Sequence, residues 1–205
     1  MVTDKRLKEL SIKDNTFIGG WYIPSEVCDE IIDYFDFNDK YHKKGTIGKI
    51  SSEVKIDPEM KDSIDLSIGS QNFDTCFESY RGYLQQVLFN YLDKYQWANE
   101  VSEFNIYERI NIQKYPISGG FKKWHFENGG NGKTILRHLV FMTYLNDVED
   151  GGTEFFYQNI TTPAKKGLTL IWPAGWTHPH RGQVSSKKEK YIVTGWYSFK
   201  GENND

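Results

Sequence analysis

From Asn105 to Phe199 the chain is written in short apolar–polar alternations separated by turn signals, and this run limits the fold more than any other feature. Residues 105–115 place Asn111, Gln113 and Tyr115 on one face, because successive side chains of a strand point to opposite sides. Residues 137–145 repeat the pattern, with His138, Val140, Met142 and Tyr144 together on one side. Residues 153–157, 168–172 and 190–199 complete at least five predicted strands. Gly-rich stretches at Asn128–Gly132, Asp150–Gly152 and Lys166-Gly167 read as the turns between them.

The part before this run is more helical. Residues 16–23 read as a strand, and a helix begins at Pro24-Ser25 with Ser25 as its N-cap. Val27, Cys28, Ile31, Ile32, Tyr34 and Phe35 give that helix its apolar stripe. A second helix is predicted over residues 73–97, capped by Asn72, with Cys76, Phe77, Tyr80, Leu84, Val87, Leu88 and Tyr91 at helical spacing. Residues 36–70 are irregular, with strand-like fragments at Lys49-Ile50 and Val54–Ile56. A long, weakly patterned segment in a compact domain is often functional, so a lid over a substrate and a plain surface excursion both stand open. Helices followed by many closely spaced strands imply one mainly β (α+β) domain over residues 1–205, a double-stranded β-helix (jelly roll) buttressed by N-terminal helices. Residues 1–104 would be helical support with a lid-like loop, and residues 105–199 the core.

Composition narrows the function. The net charge is only −3 and no long basic block occurs, which argues against tracking a nucleic-acid backbone. Lys43-Lys44 and Lys187-Lys188 are the densest basic points and read as solvated surface. Cys28 and Cys76 stand in no metal or disulfide spacing and read as buried free thiols, which points to a reducing, cytoplasmic setting. No apolar leader and no run of membrane-spanning length is evident, so neither a signal peptide nor a membrane partner is expected.

Chemistry concentrates around His125 and Glu127. Two residues apart on an extended segment, they aim an imidazole and a carboxylate at one point. A third ligand has to come from farther along the chain, where His178 and His180 are the late candidates. Two imidazoles and a carboxylate, with neither thiolate nor an oxygen cage, suit the facial triad of non-haem Fe(II).

The order of motifs around this pair resembles the Fe(II)/2-oxoglutarate-dependent dioxygenases, in particular their prolyl 4-hydroxylase-like branch. Tyr115 stands ten residues before His125, and Arg137 leads into Tyr144-Leu145-Asn146. Gly151-Gly152 leads into Phe156, Gly167 into Trp172-Pro173, and His180 is followed by Lys190 and then Trp196. These matches run in unbroken order over residues 105–199, whereas residues 1–104 match only in helical character. The resemblance implies His125, Glu127 and His180 as metal ligands and catalytic residues, with His178 beside them. It implies Lys190 as the cation for the distal carboxylate of 2-oxoglutarate, Tyr144 as a hydroxyl donor to that group, and Tyr115 as a pocket wall. Thr194 and Trp196 share the Lys190 strand face and belong to the same pocket. One departure is plain: most of the family has Asp where this chain has Glu127.

Fe(2+), 2-oxoglutarate and O2, with ascorbate as reductant, are the partners so implied. The implied reaction hydroxylates an unactivated C–H bond, releasing succinate and CO2. Retention of a carboxylate at position 127 argues against halogenation. A prolyl residue of a peptide or protein is the substrate that the branch suggests, and small molecules stay open. The segment of residues 36–70, with Asn111 and Gln113, is expected to set specificity. Two rival readings are a jelly-roll binding module that has lost turnover, with Glu127 as its first sign, and a cupin-like metalloprotein without cosubstrate.

Overall fold

The structure is a computed structural model that describes residues 6–48, 54–70, 72 and 77–201. The chain opens with β1 (Lys8–Glu9), β2 (Gly19–Tyr22) and helix α1 (Ser25–Phe37). The segment that follows carries β3 (Lys43–Lys44), β4 (Ile47–Gly48), β5 (Val54–Lys55), β6 (Lys61–Asp62) and β7 (Ile64–Ile68). Helix α2 (Glu78–Lys94) leads to β8 (Phe104–Asn105), β9 (Ile110–Tyr115) and β10 (Gly120–Phe121). Then come β11 (Arg137–Tyr144), β12 (Val148–Phe155), β13 (Ile160–Ala164), β14 (Leu168–Pro173), β15 (His180–Gly182) and β16 (Lys190–Phe199).

Antiparallel pairing assembles a main sheet in the order β1-β2-β14-β11-β16-β9-β7-β3, with β8 against the end of β16. A smaller sheet, β13-β12-β15, supplies the second layer of the jelly roll. Strand alternation divides the main sheet's side chains between two cores. Leu139, Phe141, Ile171 and Val193 pack outward with Ile31, Phe35, Leu84, Val87 and Tyr91 of the helices. Val140, Met142, Tyr144, Leu170, Trp172 and Ile192 pack inward with Phe155 of the smaller sheet. Each fully buried aliphatic side chain of this kind stabilises the fold by about 1.5–3 kcal/mol, so the helices lock the back of the main sheet and leave its front to the site.

The structure departs from the sequence expectations at several places, each with a local cause. Pro24, not Ser25, occupies the N-cap of α1, and no side chain caps it. The second helix begins at Glu78, because Phe77 at its N-cap has non-helical backbone (φ −133°, ψ 46°) while its ring packs edge-on to Tyr34. Asn72 is therefore not its cap, and the predicted first turn, with Cys76, lies outside the described residues, as does Lys49-Ile50. Residues 105–115 divide into β8 and β9 instead of one strand. Gly151-Gly152 is no turn: it lies inside β12, where the register with β13 shifts between Val148 and Thr153, so a bulge bends the strand. A side chain at Gly152 would run into the Thr162 carbonyl.

Two further differences bear on the site. Residues 64–68, read as part of an irregular loop, form β7 and join the main sheet between β3 and β9. Leu66 and Ile68 enter the helix-side core, which turns Asp65 and Ser67 to the front. A register shift between β11 and β16 at Arg137/Leu139 also reverses the expected face of His138. Its ring sits between Phe104 and Phe199 and donates to the Ala98 carbonyl (2.8 Å), while Arg137 takes the front. Gly167 does match the predicted turn: its φ is +83°, and a side chain there would collide with the Ile23 carbonyl. Cys28 is buried, with its thiol pushed up to about 12 by desolvation. No helix among the described residues is long and apolar enough to cross a membrane.

Candidate metal centre

Two backbone hydrogen bonds bring the distant histidines together. His125 N donates to His180 O (3.0 Å) and His180 N donates to His125 O (2.8 Å), a single antiparallel bridge outside the sheets. The backbone amides of Glu127 and Asn128 both donate to Ala174 O, which fixes the same extended segment two residues on. His125, Glu127 and His180 consequently offer ligand atoms that all lie within 4.8 Å of one another.

The hydrogen bonds on the far sides of the rings set their tautomers. His125 Nδ1 donates to Lys123 O (2.8 Å) and His180 Nδ1 donates to His178 O (3.0 Å), so each Nε2 carries a free lone pair when the ring is neutral. These lone pairs face Glu127 Oε1 at 3.5 and 3.7 Å. Three acceptors thus converge with no proton among them, an arrangement that a cation relieves. Burial, then the neighbouring His180, pulls the His125 pKa down to about 4. Burial would raise the Glu127 carboxyl, but the His180 and His125 imidazoles and the Arg137 guanidinium beside it bring it to about 2. At neutral pH His125 is therefore a neutral imidazole and Glu127 a carboxylate, the forms in which such groups ligate a metal. Phe121 stacks on the His125 ring (3.6 Å between centroids), and Trp172 packs edge-on to His180 (5.0 Å).

Glu127 has a second anchor. Its Oε2 accepts from Arg137 Nη1 at 3.0 Å, leaving Oε1 toward the imidazoles. Arg137 is itself held by Glu108, with Nε to Oε1 at 2.8 Å and Nη2 to Oε2 at 2.7 Å, and its guanidinium lies 3.6 Å from the centre of the Trp196 ring. Glu108 and Arg137 sit on different elements far apart in sequence. No spacing signal joins them. His178 stands outside the cluster: its Nε2 donates to Thr16 O (2.9 Å) and its Nδ1 accepts from Thr177 Oγ1 (2.9 Å), so both nitrogens are engaged. Its carbonyl, not its ring, meets His180.

A cavity of about 1900 Å³ opens from this cluster. Tyr115, Tyr144, Lys190, Thr194 and Trp196 all line it, as do Asn111 and Gln113. Register explains the grouping, since Lys190 pairs with Tyr115 across β16 and β9, and Ile192 pairs with Tyr144 across β16 and β11. Lys190 is buried, and its Nζ donates to Gly151 O (2.8 Å) and Gln183 O (2.9 Å), with no carboxylate among the described residues as partner. Desolvation lowers its pKa to about 8. Tyr144 Oη shares a hydrogen bond with Thr153 Oγ1 (2.6 Å), and Tyr115 Oη donates to Gln113 Oε1 (2.7 Å). The indole N–H groups of Trp172 and Trp196 have no acceptor. A buried ammonium without an anion, flanked by hydroxyls, fits a small dicarboxylate.

Comparison with known proteins agrees with this geometry. The sequence model of the 2OG-Fe(II) oxygenase superfamily matches residues 110–198. No curated protein matches the chain by sequence. Among solved structures, a Pseudomonas putida prolyl-4-hydroxylase is similar with a TM-score of 0.63 at 13% identity, covering 90% of this chain and 93% of that one. A Trichoplax adhaerens prolyl hydroxylase in complex with a hypoxia inducible factor peptide fragment gives 0.67 at 14%, covering 90% and 84%. The viral collagen prolyl hydroxylase of Paramecium Bursaria Chlorella virus-1 gives 0.60 at 15%, covering 93% and 100%. At these identities the likeness concerns the fold.

Removing the guanidinium should loosen the cluster. Arg137→Met leaves the Glu127 and Glu108 carboxylates without their shared cation, and the affinity for Mn(II) or Co(II) should fall about 10–100-fold, as for other partners of ligating groups. Calorimetric titration of the purified variant checks this, and wild-type affinity would show that Glu127 needs no such anchor.

Proposed function

We propose that this chain, a 2OG-Fe(II) oxygenase over its residues 110–198, hydroxylates an unactivated C–H bond of a prolyl residue in a peptide or protein. The observation that carries the reading is the convergence of His125, Glu127 and His180 at one end of a cavity whose inner wall holds the unpaired Lys190. His125, Glu127 and His180 would hold the metal through Nε2, one carboxylate oxygen and Nε2. Lys190 would pair with the distal carboxylate of 2-oxoglutarate. Tyr144 would donate to the same carboxylate by releasing its hydrogen bond to Thr153, and Tyr115 and Thr194 would wall the cosubstrate. Iron and 2-oxoglutarate together, when bound, supply the oxidising power that consumes O2, releases succinate and CO2 and delivers a hydroxyl to the substrate carbon.

The chain's own residues do the rest. Arg137 and Glu108 hold the Glu127 carboxylate in one orientation, and the Lys123 and His178 carbonyls, by accepting from Nδ1, turn both Nε2 atoms toward it. Phe121, Phe155 and Trp172 pack around the imidazoles and exclude water from their flanks. Prolyl specificity draws its support from the fold shared with prolyl hydroxylases, together with a cavity larger than a cosubstrate needs. Ascorbate is the reductant assigned to the reaction. The Asp-to-Glu departure fits turnover, since Arg137 accounts for the second carboxylate oxygen.

Incubation of the purified protein with Fe(II), 2-oxoglutarate, ascorbate and proline-containing peptides should yield succinate and a peptide heavier by one oxygen. Succinate with no peptide ever gaining oxygen would refute the prolyl assignment, and no succinate at all would refute the activity. Lys190 adds a pH signature. Its folded pKa of about 8 means that the free protein loses this charge as pH rises, so 2-oxoglutarate affinity should hold up to about pH 8 and then fall by up to about tenfold per unit. Titration of 2-oxoglutarate into the Mn(II)-loaded protein between pH 7 and 9.5 measures this, and Lys190→Met should bind weakly with no such slope.

A further inference from the structure

We infer that the outer part of the cavity takes a polypeptide segment carrying Asp or Glu next to the residue that is hydroxylated. This rests on the oxygenase reading and names its substrate class. Lys43 and Lys44, read from sequence as solvated surface, line the cavity together with Arg109 and Lys123. The register shows how Lys43 comes to the front: it pairs with Asp65 across β3 and β7, and Asp65 with Gln113 across β7 and β9, so one row of side chains runs along the cavity wall.

The carboxylates of the same cavity are already answered. Asp57 faces Lys55 at 3.6 Å, Asp65 accepts from Lys61 Nζ at 2.7 Å, and Glu127 accepts from Arg137 at 3.0 Å. Lys43, Lys44, Arg109 and Lys123 have no carboxylate partner among the described residues; Arg109 donates to the Ser67 carbonyl (2.6 Å) and keeps its charge uncompensated. The chain as a whole carries a net charge of −3, so this excess of positive charge is a property of the cavity and not of the molecule. A wall with uncompensated cations draws in and orients an anionic partner.

Size and wall chemistry favour a polypeptide. Clefts for small ligands measure about 300–1,000 Å³, and this cavity of about 1900 Å³ leaves room beside a cosubstrate. Its walls interleave the cations with amide and hydroxyl groups of Ser67, Asn111 and Thr194 and with the Trp196 ring. These groups suit peptide carbonyls and amides.

Matched synthetic peptides with one central proline, flanked by Glu, by Gln or by Lys, test the inference by fluorescence anisotropy on the full chain, free and loaded with Mn(II) and 2-oxoglutarate. The Glu-flanked peptide should bind about tenfold or more tightly than the Gln-flanked one, with the gap narrowing as salt screens the charges. The double substitution Lys43→Glu, Lys123→Glu should reverse the order of the Glu- and Lys-flanked peptides, whereas Lys187→Glu, Lys188→Glu should leave it intact. Equal binding of the Glu- and Gln-flanked peptides would overturn the inference, and so would tighter binding of an oligonucleotide of the same charge. Failure of Mn(II) and 2-oxoglutarate to bind would instead strike the oxygenase reading, because the peptide ranking is also read on the free chain.

Discussion

Everything at the front of this protein depends on a pair of backbone hydrogen bonds between His125 and His180. One partner follows β10 and the other opens β15, so the bridge ties the approach to the main sheet to the smaller sheet at one point. Because the pairing is antiparallel and in direct register, the two side chains emerge side by side, with ring centroids 4.4 Å apart. Glu127 then needs only the Ala174 carbonyl to keep its segment extended and its carboxylate on the same side. The convergence of the two imidazoles is thus a consequence of main-chain pairing.

Charge balance explains what surrounds the bridge. The cavity is lined both by a cluster of acceptors that a cation would relieve and by a buried ammonium with no carboxylate partner among the described residues. Each is costly alone in a low-dielectric pocket, and under the proposed reading a metal bound together with a dicarboxylate would answer both. The Arg137–Glu108 pair carries the remaining charge of Glu127 away from the metal side, and the Trp196 ring covers the guanidinium from one face. The Glu127 carboxylate is held by a partner on β11.

Much of this was legible in the residues. The strand alternation marked the jelly roll, and the order of motifs pointed to the residues that gather in the cavity. What escaped was non-local. Ile64–Ile68 alternates cleanly, but only its place between β3 and β9 makes it a strand of the main sheet. His138 and Arg137 exchanged faces because a bulge adds one residue and inverts the period-two pattern beyond it, an event that residue types do not announce. Gly151-Gly152 looked like a turn for the same reason, being a bulge inside β12. The link between Glu108 and Arg137 spans 29 positions and leaves no periodic trace.

The most direct test is an anaerobic titration of the purified chain with Fe(II) and then 2-oxoglutarate, followed by visible absorption. A charge-transfer band should appear only when both are present, saturate at one equivalent of each, and be lost in His180→Ala. A chain that binds Fe(II) but develops no band with 2-oxoglutarate, or one in which His180→Ala retains the band, would contradict the arrangement described for this site.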